Sequence, residues 1–187
     1  MSKKRFFTGN GDNGTTGLLG EGRVSKNHLR IEALGCLDET SAALGFARSL
    51  TQNQHIAGLV LQIQRELYQL MAEVAATPEN AGQFRSITAE HVRWLEQQAD
   101  ELSEEIELPR EFIVPGDTVA GGAFSLARAI CRRAERRVVE LNEQEGLQNP
   151  HLIPYLNRLS SLCFVLELYE TQVNNKTRPT LAKRRET

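Results

Sequence analysis

The stretch that most constrains this 187-residue chain is Ala123 to Leu141, AFSLARAICRRAERRVVEL. Phe124, Ala127, Cys131, Ala134, Val138 and Leu141 recur at three- and four-residue steps. A helix places such a set on one stripe, and a stripe that apolar needs other apolar faces to bury it. Arg128, Arg132, Glu135 and Arg136 repeat on a different face, with Arg133 and Arg137 further round. This row is either a solvated face laced by Glu135 and Glu140 or a rigid row of guanidinium groups for phosphates or carboxylates. Arginine suits the second use because its planar fork binds oxyanions in bidentate fashion and stays charged.

Four further amphipathic segments supply the facing surfaces. Residues 28–50 carry Leu34, Leu37, Ala42, Leu44 and Ala47, interrupted by Asp38 and Glu39. A carboxylate there either has a basic partner, for which the arginine helix is the obvious supplier, or lies on the solvent face. Residues 55–76 form the next helix, which Pro78 ends; Tyr68 and Met71 are expected in the core. The polar 77–87 segment reads as a mobile loop. Thr88 caps a third helix running to about Ile106, on which His91 is structural or exposed.

The 107–117 connection holds two prolines and the apolar run Phe112, Ile113, Val114. These residues either plug the bundle or stand at the rim of a pocket. Asp117 or Thr118 caps the arginine helix, Gly146 closes it, and Asn149-Pro150 opens a fifth helix. On that helix Asn157 is either a satisfied core amide or reaches a ligand beside the arginines. The expected fold is all-α: a single domain over 1–187, with an arm at 1–27, a five-helix bundle at 28–172 and a disordered tail at 173–187.

The arm reads TGNGDNGTTGLLGEGRVSK over residues 8–26, with six glycines, three threonines and Lys26 at its end. It matches neither a Walker loop nor a dinucleotide fingerprint. It is either a flexible tail or an anion nest of backbone amides, with Lys26 adding charge. A net charge of -2 argues against bulk nucleic-acid binding. Cys36, Cys131 and Cys163 are odd in number and lack CxxC spacing, so core thiols are expected and a zinc site is not. No apolar run suggests a signal peptide or a membrane span, and a cytoplasmic protein is expected.

TGNGDNGTTGLLGEGRVSK, LGCLDETSAALGFAR, RAICRRAERRV and PYLNRLSSLCF, in this order, resemble the signatures of PduO-type corrinoid adenosyltransferases. The likeness runs from about Phe7 to Tyr169. It implies a homotrimeric five-helix bundle of the cobalamin adenosyltransferase type, with sites between neighbouring subunits. Such enzymes transfer the 5′-deoxyadenosyl group of ATP, with Mg²⁺, to cob(I)alamin, giving adenosylcobalamin and triphosphate. The resemblance assigns Thr8, Gly9, Asn10, Gly11, Thr16, Gly17 and Lys26 to ATP from the arm. It assigns Arg132, Arg133, Ala134, Glu135, Arg136 and Asn157 to ATP from the helices. Arg128 would pair with Asp38 across the interface, and Phe112 would occupy the lower face of the corrin. An electron-donating flavoprotein reductase would be a partner.

Departures from the family pattern are Asp117 where a glycine is typical, Ser125 where histidine is common, Ser161 where aspartate is frequent, and Glu167 where a small residue is usual. Those at Asp117, Ser125 and Ser161 raise an alternative, a non-catalytic ATP and adenosylcobalamin carrier or sensor of the same fold. A helical nucleic-acid module using the arginine row is the remaining reading, disfavoured by the absence of interleaved aromatics.

Overall fold

The computed structural model describes residues 7–183. The first six residues of the expected arm and the last four of the expected tail lie outside them. The arginine-bearing stretch forms α5, Val119–Glu145. Thr118 caps it, its side chain accepting from Gly121 N at 3.0 Å. Gly146, at φ 72, ends it in the left-handed conformation that glycine adopts without steric cost. Cys131, Ala134, Val138 and Leu141 are fully buried, as their spacing predicts.

The helix α1, Leu29–Leu50, runs antiparallel along α5 and is clasped to it by charges at its surface. Arg133 pairs with Glu39, and Arg137 Nε lies 3.6 Å from Glu32. The helix α2, Gln54–Ala75, packs on α1. Gly45 permits that approach, since a Cβ there would stand 2.9 Å from Gln64 Nε2. The helix α4, Ala89–Ser103, packs on α6, Leu152–Tyr169, which packs in turn on α5. Five long helices thus enclose one core, as expected. A short helix α3, Ala81–Phe84, and an antiparallel hairpin of β1, Thr15–Gly17, and β2, Arg23–Ser25, complete the regular structure.

Three expectations are corrected. The 77–87 segment is pinned rather than left loose. Buried Glu73 accepts from Ser86 N at 2.7 Å and Ile87 N at 2.6 Å, and its other oxygen accepts from Asn149 Nδ2 at 2.6 Å. Tyr68 is 73% exposed on α2, because its position faces away from the α1 contact. Residues 173–183 do not behave as a loose tail: α6 continues into a π-helical turn, Glu170–Asn174, and the chain then pairs with the 107–117 connection. Polar composition predicted disorder, but backbone groups paired with another segment give order without an apolar side-chain pattern.

One buried charge ties the bundle's end together. Arg30, 4% exposed, donates from Nη1 to the carbonyls of Val74 at 2.7 Å and Ala76 at 3.0 Å. Its Nε donates to Glu145 at 3.1 Å. It thereby satisfies carbonyls at the end of α2 that have no helical partner, and bridges to the end of α5.

Candidate ATP and corrinoid site

The arm is an ordered loop and hairpin. Gly9 and Gly14, at φ +75 and +77, turn the chain so that Asp12 N reaches Gly9 O and Gly14 N reaches Gly11 O, each at 3.1 Å. Arg23 clamps the loop from β2. Its Nη2 donates to Asn10 O at 2.7 Å and Thr15 O at 2.9 Å, and its Nε donates to Thr15 Oγ1 at 2.9 Å. The Lys26 ammonium rests over Gly11, where a Cβ would lie only 3.0 Å from Nζ. Thr8, Gly9, Asn10 and Gly11 therefore share one loop, with Lys26 laid over it from just past β2 and Thr16 and Gly17 on the adjoining strand. Arg23 is the residue that sequence reasoning missed; its only signal was a cation inside a glycine-rich run.

Hydrogen bonds between the arm and the bundle, among the described residues, cluster at one end. Leu19 N donates to Ala75 O at 2.9 Å, and Thr77 N to Leu19 O at 3.2 Å. His28, just past the arm, lies 3.6 Å from Glu145. Arg132 stands 13 residues earlier on α5, roughly 20 Å along the axis at 1.5 Å per residue. Among the described residues, no hydrogen bond or ion pair joins the arm to Arg132, Arg133 or Arg136 within one chain.

On the helix side, Arg132, Arg133 and Arg136 are exposed. Arg136 Nη1 donates back to Arg132 O at 2.9 Å. Glu135 accepts from Asn157 Nδ2 at 3.0 Å, Asn157 Oδ1 accepts from Arg158 at 2.7 Å, and Arg158 Nε donates to Glu96 at 2.8 Å. This relay runs from α5 through α6 to α4 and sets the amide of Asn157 beside the arginine row. Ala134 is fully buried in the core, one helical step from the row.

Arg128 leads toward a second region. Its guanidinium lies 5.7 Å from the centre of the Phe164 ring. Both line an open cavity of about 580 Å³ together with Phe112, Ser125, Arg132, Ser161 and Glu167. Phe112 stands at the mouth, 89% exposed, on the rim that the sequence left as one of two alternatives. Burial pushes the Glu167 carboxyl above its ordinary value, opposed by the Ser125 hydroxyl and the Arg128 charge, while Asp117 adds to the rise. Three of the four departures, Ser125, Ser161 and Glu167, thus gather in this one cavity. Asp38 is exposed on α1, and no contact joins it to Arg128 within the chain; its neighbour Glu39 is the residue that meets the arginine helix.

All three cysteines are buried and free. Desolvation pushes Cys163 up to about 12 and Cys131 well above its ordinary value, so neither is a nucleophile at neutral pH. No helix among the described residues is long and apolar enough to cross a membrane.

The architecture is thus a five-helix bundle with an ordered glycine-rich arm, an arginine row and an open cavity rimmed by Phe112. The chain belongs to the cobalamin adenosyltransferase family, whose sequence profile matches residues 6–170. It is 38% identical over 174 residues to corrinoid adenosyltransferase PduO of Citrobacter freundii, covering 91% of this chain and 52% of that protein. It is 35% identical over 164 residues to a corrinoid adenosyltransferase of Bacillus subtilis, covering 86% and 83%. The chain spans about half the length of the PduO relatives it matches. Among solved structures, it resembles a variant PduO-type ATP:corrinoid adenosyltransferase from Lactobacillus reuteri complexed with cobalamin and ATP. That likeness has a TM-score of 0.90 at 28% identity and covers 96% of this chain and all of the other.

Proposed function

We propose that this chain transfers the 5′-deoxyadenosyl group of ATP to cob(I)alamin, releasing triphosphate. The observation that carries the reading is the cavity of about 580 Å³ in which Phe112 and the arginines Arg128 and Arg132 converge, within a fold of this family. Cobalt in the +1 state attacks the ribose C5′; the C5′–O bond breaks, and its electron pair leaves with the triphosphate. Arg132, Arg136 and Lys26 stabilise the charge that grows on the leaving group, which is where preorganised cations lower a barrier most. Asn157 orients the nucleotide from the helix side. Phe112 excludes the lower axial ligand, which favours reduction to Co(I) by controlling the metal's axial ligation.

Mg²⁺ enters with the nucleotide in this reading. It would be held chiefly by phosphate oxygens, as a hard cation needing few protein ligands. The glycine-rich loop and its amides suit the remaining phosphate oxygens.

In this reading the arm and the arginine row meet between copies of the chain in a homotrimer; that no bond joins them within one chain, among the described residues, supports it. Phe46 on α1 and Leu126 and Val119 on α5, all more than half exposed, support a further copy docking along this face. In that assembly Asp38 pairs with Arg128 of the neighbour. The three free thiols fit a reducing compartment such as the cytoplasm, where a flavoprotein reductase would supply the electron.

The test is anaerobic titration of purified protein with ATP and chemically reduced cobalamin, followed by absorbance. Adenosylcobalamin is expected to accumulate over many turnovers. Its absence while Co(I) is spectroscopically present would defeat the proposal. Glu167 and Ser125 in the cavity motivate the carrier reading, which predicts tight adenosylcobalamin binding with negligible turnover.

A further inference from the structure

The connection that carries Phe112 is held by the C-terminal segment. Val114 N donates to Thr180 O at 2.8 Å, and Ala182 N donates to Phe112 O at 2.7 Å. Ile113 and Leu181 face each other between these bonds as an antiparallel bridge. Asp117 secures the same segment: one carboxylate oxygen accepts from Thr180 N at 2.8 Å, the other from Thr180 Oγ1 at 2.6 Å. Further back, the Gln172 side chain acts like a strand. Its Oε1 accepts from Glu107 N and its Nε2 donates to Glu107 O, each at 2.9 Å.

These bonds matter because the Phe112 ring has almost no packing of its own, at 89% exposure. Its direction is set by its backbone, and its carbonyl is held by Ala182. Gly116, at φ +113, supplies a turn directly before Asp117, a conformation that side-chain-bearing residues rarely adopt. Without the C-terminal segment the connection would be free to swing between its ends.

The geometry points to Asp117 and the Thr180–Ala182 segment as positioning elements that fix Phe112 at the mouth of the cavity before the corrinoid arrives. Asp117 is thereby explained as one half of a pair with Thr180. The inference rests on the proposed adenosyl transfer and deepens it. Ordering the loop in advance removes an entropic cost that binding would otherwise carry.

Ala182→Pro deletes the one N–H that reaches Phe112 and alters no bundle residue. Asp117→Ala deletes both acceptors for Thr180, and Thr180→Ser keeps both donors. Each full-length protein is mixed with cob(II)alamin and ATP, and four-coordinate Co(II) is quantified by electron paramagnetic resonance. Ala182→Pro and Asp117→Ala are expected to lower the four-coordinate fraction and kcat by roughly three- to tenfold, the scale of a lost hydrogen bond. KM for ATP and the thermal midpoint should stay at wild-type values, and Thr180→Ser should behave as wild type. A wild-type fraction of four-coordinate cobalt in both variants overturns the positioning role alone, as does an equal loss of ATP affinity. A wild-type protein that never forms four-coordinate cobalt overturns the functional reading and this inference with it.

Discussion

Arg132 and Ala134 are two positions apart on α5, yet one is exposed and the other fully buried. A step of two residues on a helix is about half a turn, so adjacent members of one motif divide between ligand and core. Similar locality governs Gly11. A Cβ there would lie 3.0 Å from Lys26 Nζ and 3.1 Å from Cε, and the lysine end would have to move. Gly11→Ala should weaken ATP binding roughly three- to tenfold, the worth of about one hydrogen bond, with the urea midpoint unchanged. Equilibrium titration beside a denaturation curve checks both.

Glu167 offers a pH test at the same scale. Burial, its largest influence, raises its folded value above the ordinary 4.5. Between the unfolded and the raised folded value the native state holds more protons than the unfolded state, so stability falls as pH rises through that window. Glu167→Gln carries no such proton. It should flatten this part of the profile and gain stability relative to wild type above the window. Urea unfolding of both proteins from pH 4 to 7 would show it; parallel profiles would refute it.

Elements are held in register by a few polar ties. Arg30 joins the ends of α2 and α5 through two carbonyls and the Glu145 carboxylate. Arg30→Ala would leave those buried carbonyls unpaired, and a loss of about 2–4 kcal/mol is expected. Thr118 is a simpler tie. Losing its bond to Gly121 N in Thr118→Ala should cost about 1 kcal/mol. Chemical denaturation measures both, and the Arg30 loss should be the larger.

At the scale of the whole molecule, the arm's bonds to the bundle lie at the Glu145 end of α5, and Arg132 stands about 20 Å from that end along the helix axis. If neighbours complete each other's sites, Lys26→Ala and Arg132→Ala chains are each inactive alone but complementary when mixed. Random mixing in equal amounts gives intact arm–helix pairs at about one quarter of interfaces in a closed ring. Co-expression should therefore restore roughly a quarter of wild-type turnover. No recovery in demonstrably mixed oligomers would refute the shared site.

Apolar spacing determined the five long helices, because burying a stripe at helical period leaves few alternatives, and Thr118 and Gly146 marked the ends of α5 by their own backbone chemistry. The ordered motifs likewise made the family legible. What the sequence could not determine was which residues meet across long separations. Glu39 rather than Asp38 faces Arg133 because helix rotation, set by packing, decides between neighbours. Arg23, Arg30 and Glu73 act through hydrogen bonds to groups outside their own elements, which leave no periodic trace. The segment after Asn174 looks disordered by composition, yet pairs with the Phe112 connection. Local sequence encodes the energy of each element; only the assembled chain decides which unpaired donors and acceptors lie close enough to satisfy one another.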